Sequence, residues 1–471
     1  MASLKILFLA SEADPFIKVG GLGDVAGSLP NELRALPGHE LDVRLIIPFH
    51  KGIQTDYLDI QREDVFTIPR DGGDMPVQVF RTDLRGMPVY LISGSPVVGR
   101  PYENAAADGE KYTFFSLAAL EFSRRSGWRP DIVHANDWHT ASAIYAVRLM
   151  QDDLFWGGVK TVMSVHNLCF MGAGSEESLF AYGLPPINDP KVPVWGHHVP
   201  MPLGLWAADR IVAVSPSYAE EIQTPEYGCG LEKFLRSRRD IISGIVNGID
   251  YSIWNPLHDD ALTFNFSLGD IEARASNKAA LQTHFGFTVD PNIPMLAMIT
   301  RMDQQKGVDI TVEALRSIPE VSWQAVLLGT GNPDLEAAVR RLEADFPQRV
   351  CAVIRYDGKL SRQIYGASDV LLMPSRYEPC GLAQMIAMRY GCLPLARATG
   401  GLRDTIADSR TGFLFTDSSP AIMAATIRRA TATFANADQW RAIQHAAMSE
   451  NFSWATSAEQ YAALYINLTT K

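Results

Sequence analysis

The sequence predicts an α/β protein with two domains, each built around a parallel sheet. Three observations carry the prediction. Short apolar runs alternate with helical periodicity along all 471 residues, the pattern of strands joined by crossover helices. That alternation pauses once, from Asn247-Gly248-Ile249-Asp250 through Trp254-Asn255-Pro256 to Asp260, and then restarts. Hydrophobic residues make up 47% and charged residues 20%, which is enough apolar material for more than one core. The expected division is 1–250, 251–452 and a terminal helix over 453–471.

In the first half the strand-like runs are Ile6–Ala10, Val43–Ile47, Val89–Ile92, Ile132–His134, Thr161–Val165 and Arg210–Val214, with an apparent helix from Val25 to Ala35. In the second half they are Met295–Thr300, Trp323–Leu328, Cys351–Ile354 and Val370–Met373. Ser419-Pro420 places an N-cap and a first-position proline before a helix from Ile422 to Phe434. Ser453 caps a last helix in which Trp454, Ala458, Tyr461 and Tyr465 share one face. Such a helix needs a surface to lie on, and the residues leave open which domain supplies it.

Lys plus Arg is 42 and Asp plus Glu is 53, a net charge of −11. An acidic chain without a basic block argues against nucleic acid and anionic membrane as partners. No run approaches the ~20 apolar residues of a membrane span. The opening Leu4–Ala10 run is short and Glu12 and Asp14 follow at once, unlike a signal peptide. Asn265-Phe266-Ser267 is a formal glycosylation sequon, read as chance without a secretory route. Five scattered cysteines (Cys169, Cys229, Cys351, Cys380, Cys392) give no disulfide framework and no Cys-x-x-Cys pair, so the expected home is a reducing cytosol.

The first chemical motif is Lys18-Val19-Gly20-Gly21-Leu22-Gly23-Asp24 before the first helix. Glycines allow close approach of the backbone, and a helix N-terminus favours phosphate, with Lys18 adding charge. The alternatives are a plain turn or a nicotinamide site. The second is weak, because the strand ends about ten residues earlier, and the next strand ends in Pro48-Phe49-His50 without an acidic ribose partner. His134-Ala135-Asn136-Asp137-Trp138-His139 and His166-Asn167 follow at other strand ends, where open α/β sheets bind ligands. Contacts to sugar hydroxyls are favoured there over zinc or purely structural histidines. In the second half, Arg301 and Lys306 frame a strand-to-helix turn suited to a diphosphate or a solvated basic turn. Pro374–Leu382 and Thr399–Asp404 add turns that lead into helices. Cys380 lies in the first, without a histidine neighbour in sequence that would make it a nucleophile.

These motifs, with Ser164-Val165-His166-Asn167-Leu168, Asn247-Gly248-Ile249-Asp250, Pro374-Ser375-Arg376-Tyr377-Glu378-Pro379-Cys380-Gly381-Leu382 and Thr399-Gly400-Gly401-Leu402, resemble the starch/glycogen synthase family of bacteria and plants over essentially the whole chain. The resemblance implies a GT-B architecture: two Rossmann-like domains, a deep cleft, and a C-terminal helix crossing back to the first domain. It implies a retaining transfer of glucose from ADP-glucose to the non-reducing end of an α-1,4-glucan (glycogen, starch or malto-oligosaccharides), with no metal or other cofactor. By position it implies catalytic roles for Asp137, His166, Arg301, Lys306 and Glu378. Donor contacts fall to Lys18, Gly20, Gly21, Asn247, Tyr356, Cys380, Gly381, Leu382, Thr399, Gly400 and Gly401, and acceptor-side contacts to Asp24, Tyr102 and Asn167. Two departures stand out: Val199-Pro200-Met201-Pro202-Leu203-Gly204 replaces a lysine-bearing stretch, putting the local helix start in question, and Asp357 follows Tyr356 where a histidine is common. Rival readings are a GT-B enzyme using UDP-glucose or a small acceptor, and a non-catalytic glucan-binding scaffold. The implied location is the cytoplasm, or a plastid for a chain freed of its transit peptide.

Overall fold

A computed structural model describes residues 3–56 and 58–470. The chain forms two compact units, residues 1–248 with 454–471, and residues 249–453. In the first unit, β1 (Leu4–Leu9), β2 (Leu41–Pro48), β3 (Gln61–Ile68), β4 (Met75–Leu84), β5 (Met87–Ser93), β6 (Ile132–Asn136), β7 (Lys160–Val165), β8 (Arg210–Ala213) and β9 (Ile242–Gly244) build one sheet. Its order is β3-β4-β5-β2-β1-β6-β7-β8-β9. β1 is parallel to both neighbours, with Leu4 opposite Leu41 and Ile6 opposite Ile132. Its residues from Ile6 onward are buried whichever way they point, as expected of a strand covered on both faces.

The β3–β4 hairpin departs from the all-parallel expectation. It is antiparallel, as is the β4–β5 pair, and β4 alternates exposed with buried residues along Pro76–Val79. Alternation marks a strand with one wet face, and Gly72 and Gly73, both at positive φ, make the turn before it.

Helices α1 (Gly21–Ala35), α2 (Ala105–Arg125) and α3 (Trp138–Leu149) pack on this sheet or on one another. α1 starts four residues before the expected Val25, within the glycine loop itself. α3 is buried from Trp138 through Val147, and it packs against a helix at Pro200–Ala207. Pro200 sits at the first turn of that helix, where its missing N–H costs nothing. Gly204 lets the two helices close in, since a Cβ there would lie 2.7 Å from that of Ala141. The unusual proline stretch therefore starts a helix cleanly.

The last helix, Trp454–Thr469, belongs to the first unit. Trp454, Ala458, Tyr461 and Tyr465 share a buried cluster with Phe8, Val25 and Leu29, and Ser457 Oγ donates to the Val246 carbonyl at 2.7 Å.

In the second unit, β10 (Met295–Ile299), β11 (Gln324–Leu328), β12 (Val350–Val353), β13 (Val370–Met373), β14 (Leu393–Arg397) and β15 (Phe413–Phe415) form a parallel sheet in the order β12-β11-β10-β13-β14-β15. Its core joins Leu296, Val308, Trp323, Leu395 and Ile427. The exposed Asn265 donates its amide to the Pro256 and Asp259 carbonyls, so the sequon residue has a structural role. Among the described residues no helix is long and apolar enough to cross a membrane.

Candidate active site

In the first unit, functional side chains collect beyond the carboxyl ends of β1, β6 and β7. Asp137 follows β6 directly and takes φ 56° and ψ −178°, a region that non-glycine residues enter at a cost of about 1–3 kcal/mol. Its carboxylate repays that strain by accepting the main-chain N–H groups of His166 at 2.7 Å and Asn167 at 3.2 Å. Burial pushes the Asp137 carboxyl up to about 7, against the pull of those two donors.

The His166 ring is held by Asn136, a residue the motifs did not single out. Asn136 Nδ2 donates to the Leu9 carbonyl at 2.9 Å, which fixes the amide, and its Oδ1 lies 2.9 Å from His166 Nε2. An amide oxygen only accepts, so Nε2 carries the proton and Nδ1 is the ring's acceptor. Burial pushes the ring down to about 4, leaving it neutral near pH 7. His134 is a structural histidine: fully buried, with Nδ1 2.6 Å from the Tyr465 hydroxyl and Nε2 2.7 Å from Ser164 Oγ. His139 is buried between the rings of Trp138 and Tyr112. Tyr102 tilts against His139 and bonds Ser11 through its hydroxyl at 3.1 Å.

The glycine loop differs from the expected phosphate cradle. Glu12, which sequence reasoning passed over, lies beneath it and takes the Val19 N–H at 2.5 Å, Gly20 at 3.1 Å and Gly23 at 3.2 Å. Those donors are therefore engaged by the protein's own carboxylate. Burial pushes Glu12 up to about 7, opposed by the same three bonds. Lys18 Nζ reaches Asp24 at 2.5 Å and Asp14 at 3.6 Å. A lone glutamate with no partner nearby in sequence gave no signal of this role.

A second correction concerns the cysteines. Cys169 and Cys229, 60 residues apart, form a disulfide, a single bridge where the scattered cysteines predict no disulfide framework. The bridge ties the loop that carries His166 and Asn167 to the approach of the helix Glu232–Ser237. Asn247 is buried, and its Oδ1 has no hydrogen-bond partner among the described residues.

In the second unit the site gathers at the ends of β10, β13 and β14. Gly307 adopts a left-handed φ of 68° at the start of the helix Val308–Arg316, and a Cβ there would collide with the Pro374 carbonyl. This close approach brings Lys306 to Glu378: Nζ lies 2.9 and 2.7 Å from the two carboxylate oxygens. Ser375 Oγ donates to the same carboxylate at 2.9 Å. Arg301 is mostly exposed and pairs with Asp303 at 2.5 Å, while Asp303 also accepts the Lys306 N–H at 3.0 Å. Arg376, paired with Asp309, locks the two loops together through the Gln304 carbonyl.

The Thr399-Gly400-Gly401 turn packs on the Glu378–Cys380 turn. A Cβ on Gly400 would strike the Glu378 carbonyl and one on Gly401 the Cys380 carbonyl, so both glycines are required by packing, whatever they do for a ligand. Gln384, absent from the expected set, bonds the Cys380 and Gly381 carbonyls and Thr405. Cys380 is buried and Leu382 leads into the helix Ala383–Arg389. Tyr356 stands apart beyond β12, with its residue surface 89% exposed. Among the described residues no group of three or more His, Cys, Asp or Glu side chains is arranged to hold a metal ion.

Two α/β units, one gathering buried polar groups and the other paired charges at strand carboxyl ends, define a glycosyltransferase of the GT-B class. Residues 5–237 match the starch synthase catalytic domain family and residues 293–432 the glycosyl transferases group 1 family. The chain is 38% identical to the glycogen synthase of Clostridium perfringens, over 99% of this chain and 98% of that one. It is 39% identical to the glycogen synthase of Streptococcus pneumoniae, over 99% and 100%. It is similar to the solved catalytic domain of starch synthase IV from Arabidopsis thaliana bound to ADP and acarbose, at 32% identity, a TM-score of 0.89 and full coverage of both chains. The chain belongs to the starch/glycogen synthase family, and its activity is that family's glucosyl transfer.

Proposed function

We propose that this enzyme moves glucose from ADP-glucose to the 4-hydroxyl at the non-reducing end of an α-1,4-glucan, with retention of the α configuration and without a metal. The observation that carries the reading is the Lys306–Glu378 pair with Arg301 nearby in sequence at the end of β10. Two cations at one strand end suit a diphosphate and stabilise charge developing on a phosphate leaving group. Glu378, held by Lys306 and Ser375, serves the transferred glucose. The ADP in the similar starch synthase IV supports an adenine nucleotide, which Tyr356 would stack, and acarbose there supports a glucan acceptor.

In this reading glucose leaves and is attacked on one face, and the departing phosphate takes the acceptor's proton. The neutral His166 ring and Asp137 then serve as hydrogen-bonding groups for sugar hydroxyls. Lys18, Gly20 and Gly21 serve the donor, with Asn247, Cys380, Gly381, Leu382 and the Thr399–Gly401 turn; Asp24, Tyr102 and Asn167 serve the acceptor. A cytosolic location is part of the same reading, and thiol titration of the protein as isolated, with and without reductant, checks it against the Cys169–Cys229 bridge.

The test is turnover of ADP-glucose and UDP-glucose with glycogen, with maltotriose and with no acceptor, followed by chain-length analysis. Preferred use of ADP-glucose with stepwise lengthening of maltotriose is expected. Preference for UDP-glucose, or donor consumption without chain growth, contradicts the reading. Exhaustive chelation is expected to leave the rate unchanged; loss restored by Mg²⁺ or Mn²⁺ would refute metal independence.

A further inference from the structure

The reaction proposed above leaves the most deeply buried carboxylate of the first unit without a role. Glu12 is 1% exposed. No cation lies within ion-pair distance of it among the described residues; the Lys18 ammonium pairs with Asp14 and Asp24 instead. A charge removed from water must be matched by donors, and here they are three main-chain N–H groups of one loop, Val19, Gly20 and Gly23. Gly20 is the N-cap residue of α1 and Gly23 lies in its first turn, so the positive end of the helix adds to the match. Loops of this composition ahead of a helix ordinarily turn such N–H groups toward a ligand's phosphate. In this protein the seat is filled from inside.

We infer that Glu12 is the positioning residue of the glycine loop: its carboxylate fills the loop's anion seat and thereby fixes Lys18 and Gly20 toward the donor and Asp24 toward the acceptor. The inference rests on the roles proposed above for those three residues. It also has a consequence for recognition. The donor's phosphates meet the loop through Lys18 and the outer glycine surface, and not through the amides of Val19, Gly20 and Gly23.

The charged and titratable groups near Glu12 are Asp24 on α1, Tyr102 ahead of α2, Tyr112 on α2, and Asp137 after β6. None can replace it as an acceptor for all three amides without moving the loop. Glu12→Gln keeps the shape but offers one oxygen where three donors need two. Glu12→Ala empties the seat.

Two readouts test this in the full-length enzyme. Hydrogen exchange at Val19, Gly20 and Gly23 is expected to quicken at least tenfold in Glu12→Gln while the rest of the sheet keeps its protection. In a double-mutant cycle, Glu12→Gln and Lys18→Ala are each expected to lower kcat/KM for the donor about 10–100-fold. The double variant is expected to fall no further than the worse single one, because Glu12 acts through the loop. Added formate is expected to restore part of the Glu12→Ala loss by occupying the empty seat. Unchanged exchange at the three amides, or losses that multiply in the double variant, overturns the inference. If Lys18→Ala alone leaves kcat/KM untouched, the donor role of Lys18 fails, and exchange alone then decides the role of Glu12. If Glu12→Ala does not fold, Glu12→Gln carries the test.

Discussion

Behind the strand ends of the first unit lie groups that burial holds neutral or pushes toward neutrality, whereas the strand ends of the second unit carry basic and acidic side chains paired with one another. His50, His134, His139 and His166 are pushed down to about 3 or 4, and Glu12 and Asp137 up to about 7, in every case chiefly by loss of water. In the second unit Arg301 pairs with Asp303, Lys306 with Glu378 and Arg376 with Asp309. The difference teaches what each unit suits. Neutral, preoriented donors and acceptors discriminate hydroxyl groups, because an unpaired buried polar group is costly. Cations in preset positions stabilise a leaving diphosphate.

The sharpest way to break this comparison is to remove the second unit's charges. Arg301→Ala or Lys306→Ala is expected to lower kcat by ~10²–10³, equivalent to about 3–4 kcal/mol for one preorganised charge at a developing anion. Steady-state kinetics with circular dichroism to confirm folding measures it, and near-wild-type turnover in both variants would remove the diphosphate assignment.

Acid tests the first unit's side. Below about 6.5 the unfolded chain takes protons that the four histidines refuse when folded, so their stabilisation is lost as pH falls toward 3 or 4. Glu12 and Asp137 act in the opposite sense: their contribution is full below about 4 and is lost as pH rises through 7. Between about 4.5 and 6.5 four protons oppose two, so acidification destabilises the first unit. The shifted carboxyls of the second unit, among them Asp309 and Asp408, lie below the usual range, so its losses begin only near pH 4. Peptide-resolved hydrogen exchange from pH 7 to 4.5 is expected to show the first unit opening before the second. Simultaneous opening, or the reverse order, contradicts the contrast.

The Cys169–Cys229 bridge sharpens it further, since it braces only the first unit. Replacing both cysteines by serine is expected to cost about 2–4 kcal/mol, read as a lower thermal midpoint for that unit alone. The smallest effect is expected at Tyr356. Its exposed ring supports nothing in the fold, so Tyr356→Ala should leave stability within about 0.5 kcal/mol and raise the donor KM several-fold.

Much of this architecture is legible in the residues, for identifiable reasons. Central strands such as β1 from Ile6 onward and β10 are unbroken apolar runs, because both faces are covered. The β3–β4 hairpin escapes notice because its strands mix polar and apolar residues, and β15 because it has three residues. Motifs could be assigned to strand ends, but not the side chains that orient them. Asn136 reaches a main-chain carbonyl 127 residues away in sequence, and Glu12 and Gln384 act on main-chain groups of their own loops through side chains that no motif marks. Gly400 and Gly401 read as a ligand loop, yet in the structure the packing of two turns already demands them. The disulfide partners are 60 residues apart, beyond any pattern a scan of spacings detects.

Titration calorimetry of ADP against two pairs of variants tests the central claim most directly. If the second unit's charges hold the nucleotide and the first unit's neutral groups hold sugar, Arg301→Ala and Lys306→Ala should each weaken ADP by at least roughly tenfold, as befits loss of a charge-assisted contact. Asp137→Asn and His166→Ala should leave ADP affinity within about twofold, inside the ±0.5 kcal/mol of an uninvolved site, while abolishing transfer to maltotriose. Equal weakening of ADP by both pairs, or weakening by the second pair alone, would contradict the account.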